Sequence, residues 1–319
     1  MAEYLNPTHR QHVQRLQQSL TARTEWPTWL LVLVIYGGWV LLAMSHQRLG
    51  PWLGSALLAV QCAWFMSLQH ELVHGHPTRW RGFNKLLGYA PLAVWFPFAL
   101  YVETHTAHHS DEQLTLPGVD PESNYVSPAQ WQQAGALGRW LYRARLSFWG
   151  RFLLGPAMAV ASIAQEELDL LRRGDLRRLP MWLGHGALTV LMLWGLQRYA
   201  GIHPLLYLFA IAYPALSITM VRSFFEHRAT ALAKHRIVIN EASWPLRLLY
   251  LNNNYHLVHH DMPSLPWYLI PAAYRPFRED YLARCGQFRF DGYAPLAGRF
   301  GFRPIDHPIH PGLVERPAP

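Results

Sequence analysis

Lysine is almost missing from this chain: Lys85 and Lys234 are its only two, so the formal net charge of +8 rests on arginine. Charge as a whole is scarce, at 15% of 319 residues against 51% hydrophobic, which is low for a domain surrounded by water. No basic run interleaved with aromatics occurs, so the signature of a nucleic-acid surface is lacking and no nucleic-acid partner is expected. The arginines instead stand beside apolar segments, where they would meet anionic lipid headgroups. Cysteine is scarce too. Cys62 lies in an apolar segment and Cys285 in the polar C-terminal part, which leaves neither a disulfide framework nor a C-x-x-C metal site. The polar opening HRQHVQRLQQSLTARTEW is no cleavable signal and reads as a soluble or interfacial helix. Nothing in the chain resembles a flavin or dinucleotide site.

Apolar runs and aromatics fill the space left by charge. Four segments approach the roughly 20 apolar residues that span a bilayer: Trp26 to Ser45, Trp52 to Leu68, Met181 to Leu196 and Pro204 to Val221. Short turns, HQRLGP and YAGIH, join them into two hairpins. Leu86 to Val102 and Phe148 to Ile163 are interrupted by Pro91, Pro97, Arg151 and Pro156, and are expected as half-buried or interfacial helices. The expected fold is all-α and polytopic, with about four transmembrane helices, interfacial helices and a histidine-rich cap. The turns at 46–51 and 198–203 carry one arginine each, whereas the region between the hairpins and the part after 222 carry many. Positive charge stays inside, which puts both termini and the cap on the cytoplasmic side of the cell membrane. The chain divides accordingly into an N-terminal segment at 1–25, a membrane domain at 26–275 and a cytoplasmic C-terminal tail at 276–319.

Eighteen histidines are present, and eight of them fall in three close groups. His70-Glu71-Leu72-Val73-His74 matches the zinc-protease pattern, in which two histidines one helical turn apart hold the metal and the glutamate activates water. Two H-x-x-H-H groups follow, His105, His108, His109 and His256, His259, His260, and each places its three rings on one helical face. His227 stands just beyond the fourth apolar segment. A catalytic zinc takes three protein ligands, so a protease would leave six of these nine imidazoles without a task, whereas two metals would use about that many. Imidazole suits iron as well as zinc, and an open nitrogen-rich iron site is suited to activating oxygen. His9, His12, His46, His185, His203, His235, His307 and His310 read as ordinary interfacial residues. His76, two residues past His74, cannot share its helical face.

H-x3-H, H-x2-H-H and H-x2-H-H, in that order and separated by membrane hairpins, resemble the membrane fatty acid desaturase superfamily of non-haem diiron oxidases. Arg222-Ser-Phe-Phe-Glu-His227 resembles that family's additional histidine after the last span, and NNNYHLVHH its third box. The resemblance runs from about residue 26 to 275. It implies two iron ions held by His70, His74, His105, His108, His109, His227, His256, His259 and His260, with O2 as co-substrate. It also implies a fatty acyl or other lipid substrate, a double bond as product, and electrons from a separate ferredoxin, rubredoxin or cytochrome. The glutamate in HELVH is shared with the related alkane hydroxylases. Hydroxylation of an alkyl chain, or decarboxylation of a fatty acid to a terminal alkene, therefore stands beside desaturation. A membrane metal transporter is the reading from another class. Against it, the histidines flank the spans and barely enter them.

Acids beside the boxes can accept the free imidazole N–H groups. Glu71, Glu226 and Asp261 are the main candidates, with Glu103, Asp111 and Glu112 further ones. Asn252, Asn253 and Asn254 either cap the box-three helix or, Asn254 in particular, bond a metal-bound water. HPGL at 310–313 is similar to a haem-binding turn, but no second axial histidine follows it, and it reads as a tail loop.

Overall fold

A computed structural model describes residues 2–110 and 113–313, and these are mostly helical with a single two-stranded parallel sheet. Asp111 and Glu112 lie outside the described residues. The chain forms two compact units, one of Glu25–Val102 and Gly155–Met220, the other of Met1–Thr24, Glu103–Leu154 and Val221–Pro319.

The first of these holds four helices long and apolar enough to cross a membrane: Trp26–Leu49, Pro51–Val73, Leu179–Ala200 and Pro204–Arg222, the last ending two residues beyond the unit. Each matches an expected span, lengthened by up to six residues. The turns between them depend on two glycines with left-handed φ, Gly50 at 79° and Gly201 at 66°, where a side chain would be strained. A proline opens the helix soon after each, its missing N–H costing nothing in the first turn. Half of the second span's apolar window is buried, against 6% of the third's, so the second is the packed centre and the third offers its apolar surface outward. Gln61 and Tyr207, polar groups buried in this unit, find partners there in place of water. Gln61 donates to the Val34 and Ile35 carbonyls at 2.9 and 2.8 Å, and Tyr207 donates to the Leu92 carbonyl at 2.8 Å while accepting from Trp39 at 3.0 Å.

The interrupted runs behave differently from each other. Pro91 and Pro97 do break the first, into Arg81–Gly88, an irregular stretch, and the helix Phe98–Ser110. The second continues through Pro156 as a 25-residue helix, Phe148–Arg172, bent 116° from the helix Ala136–Arg145 that precedes it. At that elbow a Cβ on Gly150 would sit 2.1 Å from the Ala144 carbonyl oxygen, so the sharp bend requires glycine. The aromatics on either side of this break differ in setting: Trp80 is exposed, while Phe98 is buried against Gly88.

The other unit is built on a core that includes Ile237, Val238, Ile239, Tyr255, Leu257, Val258, Tyr274, Tyr281 and Phe288. Strand β1 (Ile239–Asn240) pairs in parallel with β2 (Arg289–Phe290) inside this unit. The N-terminal helix Pro7–Gln17, capped by the Asn6 side chain on His9 N–H at 2.8 Å, packs here as well. His9 is fully buried and 3.1 Å from the Tyr281 hydroxyl. His9, His46 and His310 are thus buried rather than surface residues of an interface, since each has a specific polar partner: Tyr281, Ser55 and Thr115 respectively.

Candidate metal centre

Box two closes the helix Phe98–Ser110, where the i, i+3, i+4 spacing stacks His105, His108 and His109. Box three is the short helix His256–Asp261, whose Leu257 and Val258 enter the core and leave His256, His259 and His260 for the opposite side. A backbone relay brings His227 alongside. Val238 N–H bonds the Glu226 carbonyl at 2.9 Å and Leu257 N–H bonds the Val238 carbonyl at 3.1 Å, so one extended segment ties the turn after the fourth span to box three.

Four rings converge as a result. Nitrogens of His108, His227, His256 and His260 all lie within 4.8 Å of one another. Nε2 of His227 is 3.1 Å from that of His108 and 2.9 Å from that of His256, and Nε2 of His260 is 3.1 Å from that of His256. In the same unit His105, His109 and His259 also keep nitrogens within 4.8 Å of one another, with Nε2 of His109 and His259 3.1 Å apart. His70 and His74, at the end of the second span in the other unit, stack one turn apart with ring centroids 4.8 Å from each other. His70 Nδ1 is 3.4 Å from Glu71 Oε1. His76 turns instead to Glu25, with Nδ1 2.7 Å from Oε1.

The Nδ1 atoms show how the rings are aimed. His108 Nδ1 donates to Asp120 Oδ1 and His105 Nδ1 to Glu122 Oε1, both at 2.9 Å, and His256 Nδ1 meets Asn253 Oδ1 at 3.2 Å. With the proton held on Nδ1, Nε2 presents a lone pair. Several lone pairs pointed at one place repel unless a cation or a shared proton lies among them, and carboxylate–imidazole pairs of this kind orient metal ligands. The donor set therefore fits a metal with a preference for nitrogen.

Charge tells the same story. Burial alone would lower His108, but Glu122 and Asp120, with Glu226 behind them, raise it to about 9, a demand for positive charge that a metal would satisfy. His109 is pushed down to about 3 by burial and by His105 and His108, which outweigh Glu122. Burial would raise Glu122, yet His108, His105 and Arg222 hold it well below the usual carboxylate range. Glu226, buried 3.7 Å from both Arg222 and His256 Nδ1, is pushed up to about 7 by burial despite Arg222.

Asp120 and Glu122 were not among the acids expected from the sequence. They sit in the irregular stretch 113–126, 12 and 17 residues from the histidines they serve, where no helical spacing marks them. Of the expected acids, Glu71 and Glu226 lie beside ligand candidates, whereas the Asp261 carboxylate points to Arg284 at 2.9 Å. The asparagines do not cap the box-three helix, whose N-cap is Tyr255 with no side-chain bond. Their amides are used elsewhere: Asn252 on the Trp267 carbonyl at 3.0 Å, Asn253 on His256, and Asn254 on the Asn240 carbonyl beside β1. Arg145 and Arg151 both grip Asn124, two residues beyond Glu122, through its carbonyl and its side-chain oxygen.

Fold and site together define a helical membrane protein with clustered, carboxylate-supported histidines. The profile of the fatty acid desaturase family matches residues 47–291, more than half of the chain, and the chain belongs to that family. It is an oxidoreductase of the desaturase type. No curated protein sequence matches it significantly.

Proposed function

We propose that the protein is an O2-dependent diiron oxidase that desaturates fatty acyl chains. The convergence of His108, His227, His256 and His260 on one point carries this reading. His108, His227, His256 and His260 would hold one iron and His105, His109 and His259 the other. His70 and His74 are assigned to the pair on their H-x3-H spacing alone. When bound, two irons would activate O2, the oxidant needed to break an unactivated C–H bond.

The chain's own residues do the rest. Asp120 and Glu122 keep the Nδ1 protons of His108 and His105 in place, so that Nε2 is the nitrogen each ring turns toward a metal. His105, His108, His256 and His259 are 2% exposed or less, which keeps water from the reacting carbon. Electrons come from a separate ferredoxin, rubredoxin or cytochrome, docked on the arginine-rich cytoplasmic face. Desaturation and hydroxylation diverge only after a first hydrogen is removed, so substrate placement chooses between them.

Mass spectrometry of lipids and hydrocarbons from cells with and without the gene tests this. New double bonds in acyl chains support desaturation, whereas hydroxylated chains or terminal alkenes would replace that step while keeping the oxidase. Metal analysis of the purified protein should find about two irons per chain, and loosely held zinc would point to transport instead.

A further inference from the structure

The HPGL segment lies beyond residue 291, where the family match ends, yet its histidine is 3% exposed. His310 Nδ1 accepts the Gly312 N–H at 3.0 Å, which fixes the ring as the tautomer with hydrogen on Nε2. That Nε2–H donates to Thr115 Oγ1 at 3.0 Å. The Thr115 N–H in turn donates to Asp120 Oδ2 at 2.7 Å, and Asp120 Oδ1 receives the Nδ1–H of His108 at 2.9 Å. Thr115 and Asp120 are both buried, so no water competes for these bonds.

We propose that His310 is a positioning residue for the metal centre, acting on His108 through Thr115 and Asp120. Neighbouring contacts make the C-terminal segment a clasp on the acid-bearing stretch. Val126 N–H bonds the Pro308 carbonyl at 2.9 Å, His310 N–H bonds the Val126 carbonyl at 3.1 Å, and Tyr125 donates to Asp306 at 2.8 Å. Thr115 holds a left-handed φ of 73°, a conformation costly for a branched residue and one that needs outside contacts to persist. The Tyr125 and His310 rings stack edge to face at 5.4 Å, closing the clasp from the other side. Burial, with Arg236 nearby, keeps His310 below the ordinary histidine range and hence neutral, as the donor–acceptor pattern requires.

The proposal rests on the iron reading above, and its test separates the two. Full-length protein in detergent is loaded anaerobically with Fe(II), and iron affinity is measured by chelator competition alongside the Mössbauer spectrum. His310→Ala should weaken one of the two irons by roughly 10-fold, the scale seen when a ligand's supporting partner is lost, and change the quadrupole doublet of that iron alone. His310→Gln, whose amide can donate to Thr115, should restore both. Thr115→Val breaks the same bond from the acceptor side, keeps the N–H to Asp120, and should reproduce the His310→Ala spectrum even if that variant fails to fold. His9→Ala, a loss of comparable burial in the same unit, should lower the melting temperature and leave iron unchanged. Wild-type affinity and spectrum in both His310→Ala and Thr115→Val would overturn the proposal, whereas a wild type that takes no iron would overturn the diiron reading first.

Discussion

His227 and His256 are 29 residues apart in the chain, and their Nε2 atoms are 2.9 Å apart in space. Two neutral imidazoles approach so closely only through a shared proton or a shared metal. His227→Ala should therefore lower bound iron and oxidase activity together. His235→Ala, whose ring packs on Gly286, should change neither. Iron quantification on the two purified variants decides, and near-wild-type values in both would remove His227 from the site.

Asp120→Asn and Glu122→Gln keep shape but take the charge from the acceptors of His108 and His105. Each should reduce iron affinity or activity by roughly 10 to 100-fold without loss of membrane insertion. Chelator competition on membranes from cells expressing each variant is sufficient. Unchanged affinity in both would mean that these acids only brace the loop.

Glu71→Gln distinguishes the oxidase from the zinc protease that HELVH suggests. In a protease this glutamate is the general base and its loss nearly abolishes activity. Here it lies 3.4 Å from His70 Nδ1 as a weak partner, so the variant should retain measurable oxidation, lowered by roughly 10 to 100-fold at most. Peptide cleavage by the wild type that vanishes in the variant would reverse the assignment.

Glu241 ties β1 to the C-terminal part through Arg278, Arg289 and Tyr274. The Arg278 bond above all, with Arg289 and Tyr274 outweighing partial burial, lowers its pKa from 4.5 to about 2. A carboxylate depressed on folding contributes stability that is fully present above its ordinary pKa and is lost as pH falls through the folded value. Melting temperature should thus decline between pH 4.5 and about 2, and Glu241→Gln should flatten that part of the curve. Identical acid limbs for wild type and variant would show that the ion cluster contributes nothing.

What the sequence made legible follows from what periodicity can encode. The spans Trp26–Leu49 and Pro51–Val73 announce themselves because every residue of a membrane helix meets the same apolar surroundings. His105, His108 and His109 do so because helical neighbours recur at three and four residues. Asp120, Glu122 and Thr115 belong to an irregular stretch whose contacts are tertiary, and no local pattern can mark them. His310 was misleading for a related reason, since a histidine buried by a distant loop looks in sequence like one on a surface. Pro156 shows the converse limit. Read as an interruption, it lies within a continuous helix, where a break had been the natural expectation.

The third span has a practical consequence for anyone wishing to watch this enzyme at work. Leu183, Val190, Leu191 and Trp194 point away from the rest of the protein. Side chains there have only to be oily, so the fold places few other demands on them. Spectroscopic labels attached at these positions should leave the oxidation chemistry undisturbed while reporting on the thickness, fluidity and composition of the surrounding lipid.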